Sequence, residues 1–213
     1  MATRTTVHVV RHGEVYNPTK ILYGRLPGFR LSTLGEQMAD RVAQYFAKSD
    51  IAYVVASPLE RAQQTATPIA AVHNLPLNSD INLIEADNVF EGQRVSVGDG
   101  VLRSPSTWRH LWNPFLPSWG EPYVEVAARM RVGIDSAREA ALGREAVIVS
   151  HQLPIWIARL DGEGRRFVHD PRRRQCSLAS VTSFVFEDDR LMAVTYNEPA
   201  KDLLNTSTNG VGA

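Results

Sequence analysis

Three short apolar runs in this sequence of 213 residues end in the same way, each delivering a basic side chain just past its last hydrophobic residue. Val9-Val10 leads into Arg11-His12-Gly13. Val54-Val55-Ala56 leads into Ser57, with Arg61 in the first turns of a following helix. Val147-Ile148-Val149 leads into Ser150-His151. Runs this short, apolar at nearly every position, are how strands look when a sheet is covered on both faces. In open α/β sheets, ligands bind at the carboxyl edge of the strands. If these three strands are neighbours, Arg11, His12, Arg61 and His151 converge on one small volume.

The segments between them have the period of helices. Thr6 to Val10 reads as the first strand, and Asn17 to Gly28, with two prolines and two glycines, as a loop. A helix is expected from Ser32 or Thr33, where Thr33 and Glu36 fit a capping box. Leu34, Met38, Val42, Tyr45 and Phe46 then share a face. Ser57-Pro58-Leu59-Glu60 reads as a helix start with Ser57 as the cap and Pro58 in the first helical position. That helix should reach Val72 with a bend at Pro68. Leu83 to Trp119 is irregular and reads as a lid-like insertion. Glu121 to Leu142 is helical, burying Val126, Met130, Ile134, Ala137 and Ala141. Ala146 to Ser150 is a strand, Leu153 to Leu160 begins a helix, and Leu178 to Phe186 and Leu191 to Tyr196 form a hairpin turning at Asp188-Asp189. The expected fold is an α/β/α three-layer sandwich, its sheet mostly parallel with at least one antiparallel strand. One domain is expected over 1–204, followed by a frayed tail over 205–213.

Composition narrows the function. Lys plus Arg and Asp plus Glu each number 23, for a formal net charge of zero. That balance argues against a bulk nucleic-acid binder, which carries a basic excess. A single cysteine, Cys176, excludes an intrachain disulfide and a cysteine-based zinc site. The first residues lack the apolar stretch of a signal peptide. No apolar run approaches the ~20 residues of a membrane helix. The expectation is a cytoplasmic protein with no membrane or nucleic-acid partner. A homodimer is compatible with the sequence.

Two arginines and two histidines in one place would repel one another without an anion. A phosphate dianion supplies the missing charge, and the arginine fork matches its oxygens. The helix that begins near Pro58 adds free backbone N–H groups and a positive dipole end. One histidine must be neutral to attack phosphorus, and nearby arginines favour the neutral form. Gly13 allows an unusual backbone turn and a close approach of phosphate. The leaving alkoxide then needs a proton, and Glu85 or Glu91, in the irregular segment, could supply it from a carboxyl of raised pKa.

Arg11-His12-Gly13-Glu14 after a hydrophobic strand, Ser57-Pro58-Leu59-Glu60-Arg61-Ala62, and Val149-Ser150-His151, in this order, resemble the motifs of the histidine phosphatase superfamily, in its phosphoglycerate-mutase-like branch. The resemblance spans about residues 6–160. It implies a three-layer α/β/α sandwich, no metal and no organic cofactor. It assigns His12 as the phosphorylated nucleophile, and Arg11, Arg61, His151 and Asn17 as phosphate ligands. Glu85, in Leu83-Ile84-Glu85, becomes the proton donor. Leu31-Ser32-Thr33-Leu34-Gly35 resembles a helix start of that family, and Gly120-Glu121 its Gly-Glu-Ser element with Pro122 in place of serine. The chain departs from the family pattern at Val15, where Thr or Ser is usual, and at Gln152, where Gly is usual. Asn17 sits one residue nearer the nucleophile than is common, and the Glu85–Glu91 stretch is shorter by one.

The function implied is hydrolysis of small-molecule phosphate monoesters through a phosphohistidine, an acid-phosphatase-type phosphomonoesterase. The alternatives are a phosphoglycerate mutase with the same nucleophile, a non-catalytic phospho-ligand binder, and a phosphatase acting on phosphoproteins. Tyr23, Arg25 and Arg30 are candidates for the pocket entrance. Arg172-Arg173-Arg174 reads as a solvated face, with an overhang above the pocket as the sharper reading. His8, inside a strand, reads as packing; His73, His110 and His169 have no motif context. Trp108, Trp112, Phe115 and Trp119 read as a satellite core beneath the long loop.

Overall fold

The computed structural model describes residues 2–94 and 120–204. The aromatic group from Trp108 to Trp119, most of the expected insertion and the expected tail lie outside the described residues. Six strands form one sheet: β1 (Arg4–Arg11), β2 (Ile51–Ala56), β3 (Leu77–Ser79), β4 (Glu145–Ser150), β5 (Val181–Glu187) and β6 (Arg190–Asn197). Their order is β3-β2-β4-β1-β5-β6. β3, β2, β4 and β1 run parallel to one another, whereas β5 pairs antiparallel with both β1 and β6. The three strands with basic ends are therefore adjacent, and β4 lies in the middle.

The period of two along these strands builds two cores. Val7 and Val9 of β1 and Ile148 of β4 face one side, where they pack with Val126, Met130, Ile155 and Leu160. Val10, Val147 and Val149 face the other, with Met38, Val42, Phe46, Ala62 and Ile69. Helices α1 (Thr33–Phe46) and α2 (Glu60–Val72) cover the second side, and α3 (Tyr123–Ala140) and α4 (Gln152–Gly162) the first. This is the three-layer sandwich, its outer layers held by stripes of apolar residues at helical spacing. The stripe expected on α3 is buried throughout. On α1, Met38, Val42 and Phe46 are buried, but Tyr45 is 46% exposed, because Ala39, Ala43 and Gly35 complete the inner face instead.

Local rules misplace two caps. Ser32, not Thr33, caps α1, and its Oγ accepts from Gly35 N at 3.0 Å. Ser57 does not cap α2: that helix begins at Glu60, with Leu59 as its cap residue and no side-chain cap bond. β5 begins at Val181 rather than Leu178, because Ala179 adopts φ 54° and Ser180 N turns back to Ser177 O. β3, a short 3-10 turn over Ile81–Leu83 and α5 (Lys201–Leu204) are elements that the sequence pattern did not signal. His8 is a packing residue, as expected: it links Ser183 Oγ at 2.8 Å to Glu145 Oε2 at 2.9 Å across three adjacent strands.

Candidate active site

The register of the sheet sets the site. In the parallel pair β1/β4, Arg11 stands opposite Ser150, so the next residues along, His12 and His151, emerge side by side. His12 N donates to Ser150 O at 3.2 Å, which continues the ladder past the end of β1. The imidazole centroids are 5.2 Å apart. On the far side of β4, Ser57 N donates to Val149 O at 2.9 Å, bringing the end of β2 level with His151.

His12 is fully buried. It is a residue of the interior, not of the surface edge that a strand-end position suggests. Its Nδ1 lies 2.8 Å from Gly13 O. A carbonyl can only accept, so Nδ1 carries the hydrogen and Nε2 holds the lone pair. Burial, then the charges of Arg61 and Arg11, hold the His12 pKa well below 6.5. The ring is neutral at neutral pH, and its Nε2 has no protein partner.

His151 is also fully buried, and its Nε2 lies 2.7 Å from Ser57 Oγ. Burial is the largest cause of its depressed pKa, followed by Arg61, His12 and Arg11. Its Nδ1 has no protein partner. Ser57, expected as a helix cap, is instead the residue that fixes this imidazole.

Gly13 has a different reason for being glycine from the one its position suggests. Its φ is not positive. A Cβ there would lie 2.5 Å from the carbonyl oxygen of Gly35, and a Cβ on Gly35 would lie 2.0 Å from the carbonyl oxygen of Glu14. The first turn of α1 rests backbone to backbone on the loop that carries the nucleophile. Gly13 N also donates to Thr65 Oγ1 of α2 at 3.1 Å, and Ser32 Oγ donates to Glu14 Oε2 at 2.6 Å.

Arg61, in the first turn of α2, is 1% exposed. One Nη donates to Gly24 O at 2.6 Å, and the guanidinium lies 4.7 Å from the Tyr23 ring centroid. Arg11 Nη1 donates to Cys176 O at 2.7 Å. Both guanidiniums bear electrostatically on the two imidazoles and on Glu85.

Glu85 is buried, with Oε1 accepting from Ala86 N at 2.9 Å and Oε2 without a protein partner. Burial raises its pKa; the Ala86 N–H and then Arg61, Arg11 and Arg174 oppose that rise. Its backbone is braced by two arginines. Arg25 Nε donates to Glu85 O at 2.7 Å, and Arg129 Nη1 donates to both Asn82 O and Ile84 O at 2.6 Å. Glu121 joins the brace, pairing with Arg25 at 2.9 Å and with Arg129 at 2.7 Å.

The structure thus brings Arg11, His12, Arg61, Glu85 and His151 together, with Tyr23 against them and the other weaker candidates in supporting or outlying positions. Arg25 is committed to the Glu85 brace. Tyr23 is buried against the site, its ring 6.5 Å from the His12 imidazole, 4.7 Å from the Arg61 guanidinium and stacked on Phe29 at 5.1 Å. Asn17 folds onto its own loop: Nδ2 donates to Ile21 O at 2.8 Å, and Oδ1 accepts from Ile21 N and Thr19 Oγ1. Arg30 is exposed and pairs with Glu60. Glu91 accepts from Arg25 N at 2.8 Å and is structural. Sequence reasoning missed Ser57 as an imidazole anchor, and missed Thr65 and Arg129, whereas Arg174 belongs to the arginine run whose sharper reading is an overhang above the pocket. Gly120-Glu121 was the one visible signal for the brace. Among the described residues no cluster of three or more His, Cys, Asp or Glu side chains could hold a metal, and no helix is long and apolar enough to cross a membrane.

The chain is similar to proteins of known sequence and structure. An uncharacterized protein of Mycobacterium tuberculosis, Rv0525, is 58% identical over 200 residues, spanning 94% of this chain and 99% of its own. A probable phosphoglycerate mutase, GpmB, of Yersinia enterocolitica is 30% identical over 184 residues, spanning 82% of this chain and 83% of its own. Among solved structures, that of the mycobacterial glucosyl-3-phosphoglycerate phosphatase Rv2419c complexed with VO3 aligns with a TM-score of 0.71 at 26% identity, over 90% of this chain and 98% of that one. A family model matches residues 7–199, and the chain belongs to the histidine phosphatase superfamily, branch 1.

Proposed function

We propose that the protein hydrolyses phosphate monoesters through a phosphohistidine on His12. The observation that carries this reading is a group of buried polar atoms with no hydrogen-bond partner among the described residues, drawn from four distant segments: His12 Nε2, Arg61 Nε, Glu85 Oε2 and His151 Nδ1. Each costs roughly 1–3 kcal/mol if left unsatisfied, so such a group is the mark of a ligand site. The donors and the net positive charge suit a phosphoryl dianion.

The two opposed pKa shifts divide the labour. Neutral His12 presents its Nε2 lone pair to phosphorus, and Glu85, whose carboxyl burial shifts toward its protonated form, is the acid. The N–P bond forms as the P–O bond to the leaving group breaks, and Glu85 gives its proton to the departing oxygen. The resulting carboxylate is stabilised by Arg61, Arg11 and Arg174. It then takes a proton from water as that water attacks phosphorus; the N–P bond breaks, and phosphate and neutral His12 are regenerated. Arg11 and Arg61 hold the phosphoryl oxygens. His151, with Ser57 donating to its Nε2, turns an Nδ1–H toward the same task. No metal or organic cofactor enters this sequence. The branch 1 family and the likeness to the Rv2419c phosphatase support the hydrolytic outcome.

The identity with the Yersinia mutase supports a second outcome, return of the phosphoryl group to another substrate oxygen. Phosphate release measured beside phosphoglycerate isomerisation separates the two. The shared nucleophile is tested by rapid quench with a phosphorus-labelled monoester. Label should appear on His12 and survive alkali but not acid. Continued turnover in His12→Ala, or turnover with no labelled protein, would sink the mechanism.

A further inference from the structure

The arginine run Arg172-Arg173-Arg174 does not behave as one surface. Arg172 and Arg173 are exposed, and Arg172 folds onto Asp170 through Nε and Nη2 at 3.1 and 3.0 Å. A single 3-10 turn, Pro171–Arg173, capped by Asp170, leads into Arg174. Arg174 points inward and is only partly accessible.

Its placement is built by aromatic and polar neighbours. Arg174 Nε donates to His169 Nε2 at 2.9 Å. Arginine only donates, which forces the imidazole tautomer: Nε2 accepts, and Nδ1–H donates to Phe167 O at 2.6 Å. The His169 ring is held between Tyr123, at 5.7 Å, and Trp156, at 5.8 Å. A carbonyl, an imidazole and two aromatic rings thus fix one edge of the guanidinium. Among the described residues, Arg174 forms no ion pair with a carboxylate. It lies within electrostatic reach of Arg11, Glu85, Tyr123 and Cys176, beside the candidate site.

Three guanidiniums, those of Arg11, Arg61 and Arg174, act on Glu85. Arg61 and Arg11 also act on both imidazoles, whereas Arg174 is held on the side of α3 and the His169 segment. Arginine in such a setting, pre-oriented at Nε with its Nη groups uncommitted, is suited to a planar or tetrahedral oxyanion.

We propose that Arg174 is a specificity-determining residue that binds a second anionic group on the substrate, a carboxylate or a further phosphate, beyond the phosphoryl group being transferred. This rests on the phosphomonoesterase reading above and narrows its substrate class to esters with an anionic tail. His169 is the positioning residue that aims Arg174.

The test compares ligands that differ only in the tail: ω-carboxyalkyl phosphates against alkyl phosphates of the same length, and α,ω-bisphosphates against the corresponding monophosphates. Binding is measured by calorimetry on His12→Ala protein, which removes turnover, with and without Arg174→Gln. The expected result is at least tenfold tighter binding of the charged-tail ligand, lost in the Arg174→Gln background and partly restored by Arg174→Lys. His169→Phe should weaken the preference while leaving the melting temperature close to that of its parent. Loss confined to one ligand pair identifies the tail as carboxylate or as phosphate. A preference equal with and without Arg174→Gln, or no preference in either protein, overturns the inference. Failure of the phosphatase reading would show separately, as absence of phosphate release by the wild-type protein on every one of these esters.

Discussion

Ser57 Oγ and His151 Nε2 stand 2.7 Å apart, joining the ends of β2 and β4 through a side-chain hydrogen bond. Leu59 N–H donates to the same hydroxyl oxygen at 3.4 Å, and in the proposed mechanism the hydroxyl hydrogen goes to the imidazole. Ser57→Ala removes the group that selects the His151 tautomer. A hydrogen bond of this kind is worth about 1–1.5 kcal/mol, so kcat should fall about tenfold with the melting temperature little changed. Steady-state rates on an aryl phosphate would check it; an unaltered kcat would remove Ser57 from the site.

Glu85→Gln should slow esters of poor leaving groups, such as alkyl phosphates, by about a hundredfold or more, and aryl phosphates much less, because only the former need the proton. The pH profile follows from the same residues. Protonation of His12 removes the lone pair, and its pKa lies well below 6.5, so the acid limb of kcat/KM should fall below the ordinary imidazole range. Ionisation of Glu85 removes the acid, and burial raises its pKa above 4.5, so the activity should decline on the alkaline side of that raised value. The Gln variant should lose the alkaline limb and keep the acid one. Loss of both limbs together would contradict the assignment.

Glu121 joins Arg25 and Arg129, which between them hold the carbonyls of Asn82, Ile84 and Glu85. Removing it leaves two partly buried guanidiniums without their shared partner, at a cost of about 2–3 kcal/mol once the exposure of Arg25 is allowed for. Glu121→Ala should lower the melting temperature and, by loosening the Glu85 segment, reduce kcat on alkyl phosphates more than on aryl phosphates. Equal reductions on both would make the brace a matter of stability alone.

Gly35→Ala places a Cβ 2.0 Å from the Glu14 carbonyl oxygen, a clash with backbone that no rotamer relieves. The expected cost is about 2–4 kcal/mol, with the loop bearing His12 displaced. Thermal unfolding and kcat should both fall. A stable, fully active Gly35→Ala protein would show that the contact between loop and helix can relax freely.

The parts of the molecule legible in the sequence are those governed by local pattern. The β1, β2 and β4 runs are apolar enough to mark themselves, and the convergence of Arg11, His12, Arg61 and His151 followed from their shared position at strand ends. β3 was not legible, because Leu77-Asn78-Ser79 is too short for any period to appear. Ser57 was misread because Ser-Pro-x-Glu satisfies the local rule for a helix cap, while its partner, His151, lies 94 residues away. The same holds for Glu121 and Arg25, which are 96 residues apart. Asn17 fits the family's role by type but not by spacing, and its amide closed a local loop. Arg174 differs from Arg172 and Arg173 only through one turn of backbone, which composition cannot register.

The contact between Gly13 and Gly35 has a mechanical consequence. Two bare backbones meet with no side chain as a cushion, so the start of α1 and the segment bearing the reactive imidazole form one rigid body. A displacement of the helix along that direction is transmitted to the reacting nitrogen without slack. The position of α1 and the placement of the reactive nitrogen are therefore one structural variable rather than two.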